Sequence, residues 1–318
     1  MRHFLTENDF DQNEIIEVFE QASIFKKNRA ERPSSDLTGQ SWGLLFYKNS
    51  TRTRVSFEVG IRELGANPLV IDQSSTQNGR RESIGDTARV LSRYLDGLVI
   101  RAHGHEIIEE FAKHSSIPVV NALTDFLHPC QIYADCMTIL EKKVDGTNPF
   151  TGLQGKKLAF FGDTSCNMAN SWILAGALFG MDVHLAGPAE FEPSAQIEGF
   201  CKENGLSENW HFTADPMEAA SGADVIYTDV WVSMGYEEQE QERFQSMAPY
   251  RVNSEVLAKA KNDCLFMHCM PAHPGEEVTQ KVLDSPHAVL LDQAENRLHM
   301  QKSILRSIFS LRNKTKAS

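Results

Sequence analysis

The stretch Trp42–Tyr47, WGLLFY, runs into Lys48-Asn49-Ser50-Thr51-Arg52-Thr53-Arg54 and then into an amphipathic segment ending near Leu64. A short apolar run of this kind fits a buried strand, and the segment after it fits a helix packed against that strand. The unit recurs along the chain. In the first half, strands are expected at Trp42–Tyr47, Leu69–Asp72, Leu98–Arg101 and Pro118–Asn121. In the second half they are expected at Lys157–Phe161, Asp182–Ala186, His211–Thr213, Val225–Thr228, Cys264–His268 and Ala288–Leu291. Helices are expected at Asn13–Lys27, Thr53–Leu64, Glu82–Tyr94, Glu106–His114, Cys130–Lys142, Asn167–Phe179, Ser194–Glu203 and Ser254–Lys261, with a last one from about Gln293 to Leu311. Such alternation predicts an α/β protein with two doubly wound parallel-sheet domains.

A chain of 318 residues corresponds to roughly two domains. The segment Lys142–Gly155 is rich in Gly, Pro, Thr and Asn and is the expected boundary. It gives a first domain over 1–147, a second over 148–292, and a C-terminal helix over 293–318 that returns to the first. The net charge of −12 argues against a general nucleic-acid binder, which needs a basic face. No apolar run approaches the roughly 18 residues of a membrane span. The start, MRHFLTENDFDQNE, lacks the apolar region of a secretory signal. The six cysteines are scattered without metal-type spacing, so reduced thiols in a cytoplasmic protein are expected.

Polar, apparently over-specified segments fall at the strand ends, where doubly wound sheets bind ligands. They are Ser50–Arg54, Arg101, His128–Gln131, Gly162–Asn167, Asp229–Gly235 and His268–Pro271. Both halves contribute, which points to one active-site cleft between two domains. Ser50–Arg54 makes sense as an anion site, because free backbone N–H groups and the helix dipole at a helix start favour negative charge. Arg52 and Arg54 add planar forks suited to phosphate oxygens. Taken singly, each feature has a plainer reading. Ser50 fits an ordinary N-cap, Arg101 a snorkelling charge, His128 a structural imidazole and Cys269 a buried inert thiol. His103 and His105 beside Glu106 lack a pattern such as H-E-x-x-H and read as a solvated loop, not a metal site. Neither G-x-x-x-x-G-K-[ST] nor a strand-linked G-x-G-x-x-G occurs, which leaves nucleotide hydrolysis and dinucleotide binding without support.

Taken in order, these segments resemble the aspartate/ornithine carbamoyltransferase family over nearly the whole chain. Ser50-Thr51-Arg52-Thr53-Arg54, followed by Ser56-Phe57-Glu58, resembles the family's carbamoyl-phosphate motif, and His128-Pro129-Cys130-Gln131 resembles its H-P-x-Q. Asp229-Val230-Trp231-Val232-Ser233-Met234-Gly235 resembles the amino-acid loop of the ornithine branch. His268-Cys269-Met270-Pro271 resembles that branch's H-C-L-P, and Ala294-Glu295-Asn296-Arg297 its closing A-E-N-R. Met270 stands where Leu is usual, Cys166 where Asn usually precedes Asn167, and Arg81 where Lys is common.

The resemblance implies transfer of the carbamoyl group of carbamoyl phosphate to the δ-amino group of L-ornithine, giving L-citrulline and phosphate in arginine metabolism, with the biosynthetic and the catabolic direction both open. A sister activity on putrescine or an N-acylated ornithine is the alternative. It assigns carbamoyl phosphate to Ser50, Thr51, Arg52, Thr53, Gln77, Arg101, His128, Pro129, Cys130, Gln131, Cys269, Met270 and Arg297. It assigns ornithine to Asn167, Asp229, Ser233 and Met234. The expected catalytic residues are Arg52, Arg101, His128, Gln131, Asp229 and Cys269. No cofactor, metal, nucleic-acid partner or membrane is implied. A homotrimer or a multiple of one is implied, with active sites at subunit interfaces and Gln77 entering a neighbour's site.

Overall fold

A computed structural model describes residues 2–31, 34–48, 50–72, 82–144, 146–207, 209–231 and 240–317. The chain divides into two compact units, Met1–Met137 with Asn296–Ser318, and Thr138–Glu295. The first unit carries α1 (Gln12–Lys27), β1 (Ser41–Phe46), α2 (Thr51–Glu63), β2 (Asn67–Asp72), α3 (Ile84–Tyr94), β3 (Gly97–Arg101), α4 (His105–His114) and β4 (Val119–Leu123). Helix α5 (Pro129–Lys143) spans the point where the units divide. The second unit carries α6 (Pro149–Gly152), β5 (Lys157–Phe161), α7 (Asn167–Phe179), β6 (Asp182–Ala186), α8 (Ala195–Glu203), β7 (Trp210–Thr213), α9 (Pro216–Ala220), β8 (Val225–Thr228), α10 (Glu240–Met247), α11 (Ser254–Lys259), β9 (Leu265–His268) and α12 (Gln280–Leu283). The last helix, α13 (Leu290–Ala317), begins in the second unit and ends in the first.

Both sheets are parallel throughout, as the alternating pattern predicts. The first runs β2-β1-β3-β4 and the second β7-β6-β5-β8-β9. Each winds outward from a central strand and then restarts on its other side, so strand order reverses between β1 and β3 and between β5 and β8. In sheets of this kind ligands bind at that reversal, beyond the carboxyl ends of the strands. Phe46 pairs with Arg101 in the first sheet and Phe161 with Thr228 in the second, so Ser50 and Arg101, then Asn167 and Asp229, follow those ends.

Local chemistry starts the helices where they are needed. Asp11 and Glu14 form a reciprocal capping box at α1, and Ser83 accepts from the Asp86 N–H at α3. The left-handed Gly180 (φ 69°) ends α7 so that β6 follows immediately. Helix α7 is buried along almost its whole length, which explains its apolar sequence. The returning end of α13 is fastened to the first unit by buried polar contacts. Lys302 Nζ lies 2.9 Å from Glu63 Oε2, Ser303 Oγ donates to the Val18 carbonyl, and Lys26 Nζ donates to Asn296 Oδ1.

One expected strand is absent. Ala288–Leu291 makes a single bridge, Phe266 to Ala288, and α13 then starts at Leu290. The Val289 carbonyl accepts from the Gln293 N–H and so belongs to the helix, while Leu291 is 82% exposed. An apolar run this short does not distinguish strand from helix start. His105 is likewise not in a solvated loop: it is buried at the start of α4, its Nδ1 lying 3.1 Å from Thr124 Oγ1. Among the described residues no helix is long and apolar enough to cross a membrane.

Two outcomes follow from this packing. A Cβ on Gly97 would lie 2.4 Å from the fully buried Trp42 ring. Gly97→Ala should therefore lose about 1–3 kcal/mol, read by urea unfolding. Burial lowers the pKa of both His3 and His105 to about 4. The unfolded chain titrates these groups near 6.5, so between about pH 6.5 and about pH 4 it binds more protons than the folded chain. Stability should fall as pH is lowered through that window, and His105→Gln should fall less.

Candidate active site

The first unit gathers its unusual polar residues around Thr53. Ser50 sits before α2 in extended backbone, and its hydroxyl accepts from the Thr53 N–H at 3.3 Å. This places Thr51, Arg52 and Thr53 in the first turn, where N–H groups lack helical partners. Thr51 and Arg52 face solvent, whereas Thr53 is fully buried. Arg101 Nη1 donates to Thr53 Oγ1 at 3.3 Å, and Arg297 Nη2 donates to the same atom at 2.8 Å. The register of β3 against β4 shifts between Ile100 and Arg101, a device that re-aims a strand-end side chain.

A threonine hydroxyl has two acceptor lone pairs and one hydrogen. Two guanidiniums use the lone pairs here, which leaves the hydrogen of Thr53 as the donor. His128, also buried, ends the approach to α5, and its carbonyl accepts from the Gln131 and Ile132 N–H groups. Burial first, then the charges of Arg297 and Arg101, push its pKa well below the usual value. It is therefore a neutral imidazole at physiological pH. Pro129 opens α5, where its missing N–H costs nothing. Cys130 donates its thiol to the Asn121 carbonyl, and burial raises its pKa to about 12, so it is inert. Gln131 donates its amide to Asp135 Oδ1 at 2.8 Å, while its own carbonyl oxygen is buried with no hydrogen-bond partner among the described residues.

The second unit builds a separate cluster on the ends of β8 and β9. Cys269 Sγ donates to Asp229 Oδ1 at 3.0 Å, and the Val230 N–H donates to the same oxygen at 2.8 Å. Burial raises the Asp229 pKa, with the Cys269 and Val230 hydrogen bonds acting against that rise. Met270 has a left-handed backbone (φ 62°), uncommon for a side chain of its size. Its N–H donates to His268 Nδ1 at 2.9 Å. With Nδ1 accepting, the proton sits on Nε2, 3.1 Å from Glu277 Oε1. Both members of that pair are fully buried, and the His268 N–H donates to Gln293 Oε1. A buried carboxylate thus sets the tautomer of a histidine that holds the Met270 backbone. Asn167 opens α7, preceded by Cys166, whose thiol is held protonated mainly by burial.

The structure therefore brings Ser50, Thr53, Arg101, His128, Gln131 and Arg297 into the first unit's group, and Asp229, Cys269 and Met270 into the second's. Gln77, Ser233 and Met234 lie outside the described residues. Glu277 and Gln293 were not anticipated. Nothing in the sequence separates Glu277 from its half-exposed neighbour Glu276, and only the fold buries it against His268.

Comparison with known proteins matches this division. Residues 2–141 match the carbamoyl-P binding domain of aspartate/ornithine carbamoyltransferase, and residues 154–308 match the Asp/Orn binding domain. The chain is 47% identical over 309 residues to the ornithine carbamoyltransferase of Geobacter sulfurreducens, covering 97% of this chain and 99% of that one. It is similar in structure to ornithine carbamoyltransferase from Pyrococcus furiosus, with a TM-score of 0.87, 43% identity and 96% of each chain covered. It is also similar to the anabolic ornithine carbamoyltransferase of Campylobacter jejuni, with a TM-score of 0.88, 35% identity, and 98% of this chain and 100% of that one covered. With both units matched in order over nearly their full length, the chain belongs to the aspartate/ornithine carbamoyltransferase family.

Proposed function

We propose that the protein transfers the carbamoyl group of carbamoyl phosphate to the δ-amine of L-ornithine, giving L-citrulline and phosphate. Carbamoyl phosphate is taken by residues of the first unit. Its phosphate dianion meets the open N–H groups of the first turn of α2, the hydroxyls of Ser50 and Thr51, and Arg52. The carbonyl oxygen, where negative charge grows as the amine attacks, receives the Thr53 O–H, Arg101 and the neutral imidazole of His128. Each donor of this kind contributes about 3 kcal/mol in related acyl chemistry. The observation that carries the reading is the buried, unpartnered carbonyl oxygen of Gln131, an acceptor suited to the carbamoyl NH2. Backbone groups of Cys269 and Met270 act on the same NH2, Arg297 reinforces Thr53, and Pro129 and Cys130 hold the helix start that carries Gln131.

L-ornithine is taken by Asn167, Asp229, Ser233 and Met234. Asp229 receives the α-ammonium, and Cys269 orients that carboxylate through its thiol. The δ-ammonium, with an unperturbed pKa of about 10.4, must lose its proton before it attacks, and desolvation favours that loss. The new C–N bond forms at the carbonyl carbon, the C–O bond to phosphate breaks, and the departing phosphate accepts the amine's proton. No side chain has to act as a dedicated base.

We further place the reaction in arginine biosynthesis, in the cytoplasm, in a homotrimer or a multiple of one with Gln77 entering a neighbouring subunit's site. The likeness to the anabolic enzyme of Campylobacter jejuni supports the biosynthetic direction. All six cysteines are free thiols, which suits a reducing compartment. The trimer rests on the family resemblance.

Two variants test the reading. Arg52→Ala, at an exposed position, should keep the fold while transition-state binding falls by about 2–4 kcal/mol in kcat/KM. Near-normal kcat/KM would remove Arg52 from the phosphate site. Asp229→Asn keeps the shape and removes the charge. Because burial raises the Asp229 pKa, ionising this group at neutral pH costs stability, so the variant should melt no lower than the parent near pH 7. Its kcat/KM for ornithine should fall by about 2–4 kcal/mol with carbamoyl-phosphate binding almost unchanged. Equal loss for both substrates would defeat the assignment.

A further inference from the structure

Outside the substrate-binding segments, β6 and the edge strand β7 bring three potential metal ligands to one face of the second sheet. His184 and His211 are paired directly across the two strands, and Asp182 precedes His184 by two positions, on the same face. Asp182 Oδ1 lies 3.1 Å from His184 Nε2 and 3.6 Å from His211 Nε2. All three donor atoms fall within 4.8 Å of one another. The two rings, with centroids 4.9 Å apart and planes tilted by 40°, converge on the carboxylate without stacking.

Donors bonded to a tetrahedral zinc ion at about 2.0–2.2 Å sit roughly 3.3–3.5 Å from one another. The two Asp–His separations bracket that spacing. Two imidazoles and one carboxylate suit a borderline ion such as Zn²⁺, whereas Mg²⁺ and Ca²⁺ require oxygen ligands. The Asp182 and His211 side chains are 46% and 66% exposed, so an ion can enter from water and keep water as its remaining ligand. The neighbouring cation, Lys157, places its ammonium 2.9 Å from the Ser221 carbonyl.

Among the described residues two other side-chain groups have ligand-like composition, and both are poorer sites. In Asp229, His268 and Cys269, both ring nitrogens of His268 are engaged, one by the Met270 N–H and one facing Glu277. His273, Glu276 and Glu277 offer one imidazole, and Glu277 Oε1 already accepts from the His273 N–H. We propose that Asp182, His184 and His211 bind one divalent ion of the zinc class, tying edge strand β7 to β6 and lying outside the segments assigned to the substrates.

The test uses the full chain carrying Cys269→Ser, which removes the sulfur ligand of the rival group, with zinc chloride as probe. Zinc uptake is measured by equilibrium dialysis at micromolar concentration, beside thermal melts with and without the ion. The expected result is about one zinc ion per chain and a Tm raised by several degrees, since a ligand of the folded state stabilises it. His211→Gln and Asp182→Asn, each added separately, should weaken zinc binding at least tenfold. Both positions are solvent-accessible, so metal-free melts should match the parent and confirm the fold. A chain with Cys269→Ser that takes up no zinc at micromolar concentration overturns the proposal. So does unchanged zinc affinity in either folded variant, which would leave a plain hydrogen-bonded His–Asp–His cluster.

Discussion

The hydroxyl of Thr53 is the point on which the chemistry proposed for the first unit turns. Its oxygen accepts from Arg101 at the end of β3 and from Arg297 in α13, residues far apart in sequence. Neither guanidinium can lose its proton, and both are buried, so the arrangement concentrates positive charge that the fold must hold in place. Several independent elements do this work: the Ser50 cap of α2, the shifted register at Arg101, and the ion pair of Lys302 with Glu63 that fastens α13. Each of them fixes the position of a donor, and the strength of a hydrogen bond depends steeply on that position.

The same charge governs His128. Beside two guanidiniums and out of water, its imidazole stays neutral, so it donates one N–H and carries no charge of its own. In the proposed reaction such a donor responds to charge that develops on the carbonyl oxygen and adds little attraction for the resting substrate. The second unit reaches rigidity by another route. Glu277 sets the His268 tautomer, His268 holds the Met270 N–H, and Met270 keeps a left-handed backbone that an unconstrained methionine rarely adopts. A fully buried carboxylate thereby shapes the backbone at Met270, a residue proposed to act on the carbamoyl group.

Most of the architecture was legible because parallel strands buried on both faces read as unbroken apolar runs, and Trp42–Phe46 and Leu158–Phe161 are each followed by polar turn residues and then a helical segment, which favours the strand reading. Ala288–Leu291 misled because a short apolar run serves equally as a helix start, and only the Val289 carbonyl's bond to the Gln293 N–H decides between them. The strand-end segments were legible for a topological reason: residues such as Ser50, Arg101 and Asp229 follow the strands at which the winding reverses. What sequence could not supply were side-chain pairings that only the folded chain makes. Arg297 with Thr53, and Glu277 with His268, exist only once α13 returns and β9 is packed. Glu277 looks like its solvated neighbour until its burial is known. Asp182, His184 and His211 likewise become a group only when β6 and β7 pair.

The claim that Thr53 is a donor held by two guanidiniums is tested most directly by comparing Thr53→Ser with Thr53→Val. Serine keeps the hydroxyl; valine keeps the shape and removes it. With carbamoyl phosphate and ornithine both saturating, Thr53→Ser should retain kcat within about tenfold, and Thr53→Val should lose about 100- to 1,000-fold, the loss seen when one donor to a developing oxyanion is removed. Phosphate binding, measured separately by calorimetry, should persist in both. A folded Thr53→Val protein with kcat near that of the parent would contradict the account, because the oxygen on which Arg101 and Arg297 converge would then have no part in the reaction.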